Sequence, residues 1–323
     1  MFKRLASAAI MSGLFAVTSA TATPAETYPQ NPIRLVVPFP AGSATDGLTR
    51  FLAEEASPIL GQSLIVTNRA GAQGAIGASE VARASPDGYT LLVGTNSTQA
   101  ANLYLSSSLT YDPRRDFAPI TQLAMSPLVL VVREDSPVTD LPSFLDYARS
   151  RPGELNYGIG NTGSQVSSHM LNEQAGVEAV GVNYPGSPPA MTDLLGGHLQ
   201  YLITDVSVAR PHIEAGKLKA LGVTTAERIP ALGQVPTLAE SGLSGYEYSS
   251  SWIGLFAPVG TPRPILDKLN SAFVTVLKSE AAQEFMAQRG LVGMPRTIDD
   301  FTAYMTTEQA NWKTMIESAG IGQ

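Results

Sequence analysis

From residue 31 to residue 224, short β-branched runs alternate with stretches that place apolar residues at helical spacing. That alternation restricts the chain to sheets whose strands are mostly parallel and whose faces are covered by helices. The predicted strands are Ile33-Val37, Leu64-Asn68, Thr90-Gly94, Leu128-Arg133, Ala179-Tyr184, Leu199-Thr204 and Ala220-Thr224. Between them, Leu48, Phe51, Leu52, Ala56 and Ile59 share one helical face, as do Leu141, Phe144, Leu145 and Ala148, with Thr139 or Asp140 as the cap. Met191, Leu194 and Leu195 form a third such face, which Gly196-Gly197 terminates. No internal repeat or low-complexity tract interrupts the pattern. At 323 residues and 44% hydrophobic content the chain exceeds what one small domain needs, and two α/β domains are expected.

The stretch from Tyr111 to Pro127 carries three prolines and joins two α/β blocks, which predicts an interdomain crossing near Thr121 to Met125. The return is expected over Tyr246-Pro258, and from Pro262 onward the signals are helical. The expected domains are therefore one lobe of residues 23–124 plus 251–323 and a second of residues 125–250, joined by a double crossover that can hinge. At the N-terminus, Lys3 and Arg4 precede an apolar run from Leu5 to Ala20 and an Ala20-Thr21-Ala22 site, the signature of an export signal cleaved after Ala22. That run is short for a membrane span, and no later stretch supplies roughly 20 apolar residues. The chain has no cysteine, so disulfides and a lipid anchor on cysteine are excluded. Losing Lys3 and Arg4 from 21 basic residues set against 28 acidic ones moves the formal charge from -7 to -9. Such a balance argues against nucleic acid and anionic lipid as partners, but not against an anionic ligand held by local donors.

Three loops at strand carboxyl ends are rich in small residues, hydroxyls and exposed amides, the places where open α/β sheets collect ligands. The first spans Pro38 to Asp46 and includes Ala41, Gly42, Ser43, Ala44 and Thr45, running straight into a helix whose first amides suit an anion. Taken singly, Ser43, Thr45 or Asp46 could equally be a helix cap. The second loop contains Thr95, Asn96 and Ser97. The third runs from Gly158 to His169 and formally contains G-x-G-x-x-G, but it lies mid-chain and lacks a well-placed acidic ribose anchor, so a nicotinamide cofactor is not implied. Catalytic readings fare poorly. Ser168 and His169 are sequence neighbours whose side chains diverge by about 100 degrees on a helix. No G-x-S-x-G elbow is present, and His169, His198 and His212 lack the spacing of a helical zinc site. Asp205 ends an apolar strand and either lines the cleft or caps the next helix.

The motifs Val36-Val37-Pro38-Phe39-Pro40-Ala41-Gly42 with Asp46 and Arg50, Asn68-Arg69-Ala70-Gly71-Ala72-Gln73-Gly74, and Pro86-Asp87-Gly88-Tyr89-Thr90-Leu91 occur in order. They are followed by Tyr111-Asp112-Pro113, Asp193-Leu194-Leu195-Gly196-Gly197, Val235-Pro236-Thr237 and Trp252-x-Gly254-Leu255-x-Ala257-Pro258. With these motifs the chain resembles the extracytoplasmic solute receptors of tripartite tricarboxylate transporters, the Bug family, over nearly all of the mature sequence. The resemblance implies an α/β periplasmic binding protein-like fold of type II, with two Rossmann-like lobes closing on a small carboxylate. It also implies membrane permease subunits as partner, a periplasmic location and no cofactor; a monomer suits a shuttle. Carried over by position, the ligand site is Ala41 through Asp46 and Thr95 through Ser97 on one lobe, and Ser164, Ser168, His169 and Asp205 on the other; Tyr184, Tyr201 and Trp252 are candidates to wall an aromatic ring, although buried aromatics more often belong to the core. Two departures concern the second lobe. Tyr184-Pro185-Gly186-Ser187 stands where the family commonly has a Lys after the Tyr, and the loop before His169 is about two residues longer than usual. Citrate-like, amino-dicarboxylic, aromatic and nicotinate-like carboxylates all remain open. A rival reading is a ligand sensor subunit for a two-component system, and a third is an esterase using Ser168 or His169.

Overall fold

The structure, a computed structural model, describes residues 27–248 and 251–321. The export signal expected over residues 1–22 lies outside the described residues. The chain begins with β1 (Ile33–Val37), α1 (Ala44–Leu60), β2 (Leu64–Asn68), α2 (Ala75–Ala82) and β3 (Thr90–Thr95). A single π-helical turn (Ser97–Ala101) and the short α3 (Asn102–Leu105) lead to β4 (Phe117–Ser126). Next come β5 (Leu128–Arg133), α4 (Leu141–Arg149), β6 (Leu155–Ile159), α5 (Thr162–Ala175), β7 (Ala179–Asn183), α6 (Ser187–Leu195), β8 (Tyr201–Asp205), α7 (Val206–Glu214) and β9 (Leu218–Val223). The chain then forms β10 (Ser251–Pro258), α8 (Arg263–Leu277), α9 (Glu280–Gln288), β11 (Val292–Gly293) and α10 (Ile298–Ser318).

The strands form two sheets, ordered β11-β4-β10-β3-β1-β2 and β7-β6-β8-β5-β9. β1 is parallel to β2 and β3, and β6 is parallel to β7 and β8. Neither sheet is purely parallel, because β10 runs antiparallel to β3 and β4, and β5 antiparallel to β8 and β9. These reversed strands are where the chain changes sheets. β4 ends at Ser126 in the first sheet and β5 begins at Leu128 in the second, with only Pro127 between them. The predicted crossing at Thr121 to Met125 therefore lies inside β4, and most of the predicted return is β10. β6 carries no strong sequence signal and is absent from the strands predicted above.

Alternation along the strands sends side chains to both faces of each sheet. In β1, Leu35 and Val37 pack with Leu48 and Leu52 of α1 and Leu269 and Phe273 of α8, while Val36 joins Trp252, Phe256 and Phe301 on the opposite face. In β5, Leu128, Leu130 and Val132 face Phe144 of α4 and Tyr201, whereas Val129 and Val131 face Met191 and Leu194 of α6. Each such buried side chain contributes about 1.5–3 kcal/mol relative to exposure, enough for both sheets to hold separate cores on each face. The last turns of α10 are an exception to simple lobe membership, since Trp312 and Ile316 pack into the cluster around Leu128 and Phe144. Trp312 sits edge-on to Tyr248, 6.1 Å between ring centres.

Candidate functional site

The loop after β1 is fixed before any ligand arrives. Ser43 is the N-cap of α1, its Oγ accepting the Asp46 amide at 3.2 Å. The Asp46 carboxylate accepts from the Gly42 amide at 3.0 Å, Arg50 Nε at 3.0 Å and Asn68 Nδ2 at 2.9 Å. Burial pushes the Asp46 carboxyl up, but hydrogen bonds from Arg50, Gly42 and Asn68 and the Arg50 charge outweigh it and hold it below the ordinary value. Asp46 thus braces the loop: its acceptors are turned onto Gly42, Arg50 and Asn68, and it is absent from the cleft lining. The amides of Ala44 and Thr45, in the first turn of α1, have no intrahelical acceptor.

A cavity of about 20 Å³ lies where the two sheets' loops meet. Of the residues expected from the sequence, Ser43, Ala44, Thr45, Thr95, Asn96, Ser97 and Asp205 line it. Thr95 Oγ1 is buried without a hydrogen-bond partner among the described residues. Ser97 Oγ and Thr162 Oγ1 lie 2.8 Å apart, and the Thr162 amide donates to Ser97 Oγ at 3.3 Å, so the loops following β3 and β6 touch directly. Asp205, 5% exposed, closes the floor. Its carboxylate accepts from Ser126 Oγ at 2.9 Å, Ser187 Oγ at 3.0 Å and Asn161 Nδ2 at 3.2 Å. Burial raises the Asp205 pKa, and those hydrogen bonds offset only part of the rise.

Other expected residues do not reach the cavity. Ala41 is exposed, and Gly42 faces a neighbouring cavity. Ser164 is consumed by the capping box of α5, where its Oγ accepts from the Gly160 and Asn161 amides and donates to Asn161 O. Ser168 is buried one turn further on, its Oγ without a partner among the described residues, and it does not line the cavity. His169 points instead toward Glu173, 3.6 Å from its carboxylate, and Ser168 and His169 form no nucleophile–base pair. Tyr184 donates to Asp193 at 2.6 Å and packs under α6, where burial first and the Asp193 carboxylate second push its hydroxyl up to about 12.

The remaining lining comes from Phe39 and Asn161, which lie in two of the loops singled out from the sequence, from Trp252, weighed there as a wall for an aromatic ring, and from Ser126, Ser187, Ser251 and Ile253, which the sequence does not point to as ligand residues. Asn161 and Ser187 stand at helix starts, which is a readable signal, while Ser126, Ser251 and Trp252 lie on the crossing strands β4 and β10. The resulting pattern is chemically simple. Four helices, α1, α5, α6 and α7, begin at this cavity, and among the described residues no Lys, Arg or His lines it. Each helix start carries a partial positive charge, which offsets the Asp205 carboxylate on the same lining and leaves hydroxyl and amide donors for an anion. A space of about 20 Å³ holds about one water, so any larger ligand requires the loops to part.

Comparison with known proteins places this geometry. The model of the tripartite tricarboxylate transporter family receptor matches residues 48–321. The chain is 35% identical to BugT of Bordetella pertussis over 315 residues, covering 95% of this chain and 96% of that one. Its structure is similar to that of Rpa4515 from R. palustris with adipate, with a TM-score of 0.89 and 36% identity over 91% of this chain and 99% of the other. It is also similar to MatC (Rpa3494) from Rhodopseudomonas palustris with bound malate, with a TM-score of 0.84 and 34% identity over 90% of this chain and 100% of the other. The architecture is that of periplasmic binding proteins, and the family is one of receptors, not of enzymes. The chain belongs to the tripartite tricarboxylate transporter receptor family, the Bug proteins among them.

Proposed function

We propose that this protein is an exported, periplasmic receptor that captures a small carboxylate between two closing lobes and delivers it to the membrane permease subunits of a tripartite-type transporter. The lobes correspond to residues 23–124 with 251–323 and to residues 125–250, and α10 straps the first onto the second through Trp312 and Ile316. The convergence of four helix starts on a cavity lined by hydroxyls and amides carries the reading. Such donors stabilise a carboxylate by charge-assisted hydrogen bonds worth about 1.5–3 kcal/mol each. The adipate and malate bound by its structural relatives support the same ligand class.

Contacts across the cleft already join the two sheets' loops, so a ligand that bridges Ser43 to Thr45 on one side and Asn161, Ser187 and Asp205 on the other favours the closed form by differential contact. The helix starts replace the Lys that the family commonly carries where this chain has Pro185. The test is thermal unfolding of the purified mature protein against mono-, di- and tricarboxylates with matched amides. A carboxylate that raises Tm while its amide does not supports the reading by linkage. Shifts from sugars or cations alone refute it.

A further inference from the structure

We infer that the ligand site extends into a second subsite, a cavity of about 530 Å³ beside the cleft, and that this subsite takes the far carboxylate of a dicarboxylate. The inference rests on the carboxylate reading of the cleft itself. Both cavities are lined by Ser43 and Ala44, so the two spaces adjoin at the start of α1. That volume falls within the range of small-molecule sites, unlike the small space at the loops' contact.

The chemistry of the larger cavity differs from that of the cleft. It holds two guanidinium groups, Arg210 and Arg289, against one carboxylate, Glu214. Arg210 is committed: its Nε donates to Glu214 at 2.7 Å and its Nη1 donates to the Gln288 carbonyl at the end of α9. Arg289 is the uncommitted cation. Among the described residues no carboxylate pairs with it, and its guanidinium lies 4.0 Å over the Phe285 ring, which in turn stacks on Phe51 at 4.2 Å. This stacking limits the conformations of the side chain before a ligand binds, and a guanidinium offers a forked pair of donors to a carboxylate. Ser207 also lines this cavity, and its buried Oγ has no hydrogen-bond partner among the described residues. In a chain with formal charge -7, a wall with excess positive charge next to a cleft that lacks cations is a specific feature. The near carboxylate then meets helix amides, the far one meets Arg289 and Ser207, and monocarboxylates forgo the second contact.

Calorimetric titration of the mature protein and of Arg289→Gln with matched pairs tests this: succinate against butanoate, adipate against hexanoate, terephthalate against benzoate. The unaltered protein is expected to prefer the dicarboxylate of at least one pair. Arg289→Gln should weaken that dicarboxylate about tenfold and leave its monocarboxylate partner unchanged, with Arg289→Lys recovering part of the loss. Equal affinity for both members of every pair, or equal effects of the substitution on both, overturns the subsite while leaving the cleft reading intact. Failure of the unaltered protein to bind any of the acids refutes the cleft reading and this inference together.

Discussion

Gly186→Ala tests whether closing the cleft, and not folding, limits ligand capture. Gly186 sits at φ 174, ψ 173, an extended conformation open to any residue, so the substitution brings no backbone strain. A Cβ at this position would lie 2.5 Å from Pro40 Cδ and 2.9 Å from Pro40 Cγ, across the cleft on the loop after β1. Carbon–carbon contacts settle near about 3.5 Å, so the facing loops must separate by about 1 Å. Pro40 is a rigid ring and cannot rotate away. Overpacking of this kind costs about 1–3 kcal/mol, and because the clash exists only when the loops meet, the cost falls on the closed form. Carboxylate affinity should therefore drop about 5- to 150-fold. The assay is calorimetric titration with the best ligand of the thermal screen, together with Tm of the ligand-free protein and its radius of gyration by solution scattering. Weaker binding, a ligand-bound protein less compact than the unaltered one and a nearly unchanged ligand-free Tm are expected. Unchanged affinity, with a Tm lowered by several degrees, would refute the reasoning, since Gly186 would then serve packing within one lobe.

Thr95→Val removes a buried hydroxyl that has no protein partner, so Tm should hold or rise while carboxylate affinity falls about fivefold or more, read by the same two measurements. Asp205, with its raised pKa, contributes favourably below the ordinary carboxylate value and loses that contribution as pH rises through the raised value. An anion bound beside it raises its pKa further, so carboxylate affinity should increase as pH falls from neutral to about 5, with proton uptake detectable in buffers of different ionisation enthalpy; Asp205→Asn should flatten the dependence. Asp46, held low, contributes stability above the ordinary carboxylate value and loses it as pH falls through its own. Asp46→Asn should accordingly lower Tm at neutral pH, with the difference from the unaltered protein shrinking below about pH 4. Trp312→Ala should cost about 3–5 kcal/mol in denaturant unfolding and weaken ligand binding as well, because it loosens the strap of α10 on the second sheet.

The sequence by itself determined the strands whose patterns are local. β1, β2 and β5 occupy the spans read from their β-branched runs, and Asp140, one of the two caps proposed, caps α4. The loops after β1 and β3 were legible for the same reason, since small hydroxyl residues between a strand and a helix mark a ligand-collecting end whatever the rest of the chain does. β4 lies in the three-proline stretch from Tyr111 to Pro127 that reads as an interdomain crossing, yet its one proline, Pro119, lies at a register shift in the pairing with β10, where a missing amide is tolerated. Position along the chain also misled at α5: Ser164 and His169 lie close in sequence to a glycine-rich loop, but a helix turns successive side chains by about 100 degrees, which commits Ser164 to the cap and turns His169 toward Glu173. Asn161, Ser187, Ser126 and Ser251 belong to one site only because two sheets, built from interleaved segments, bring their loops together. Helix and strand signals arise from neighbours within a few residues and can be read from the chain, whereas this site depends on residues up to about 200 positions apart meeting across an interface, and only the packing of the two sheets decides that.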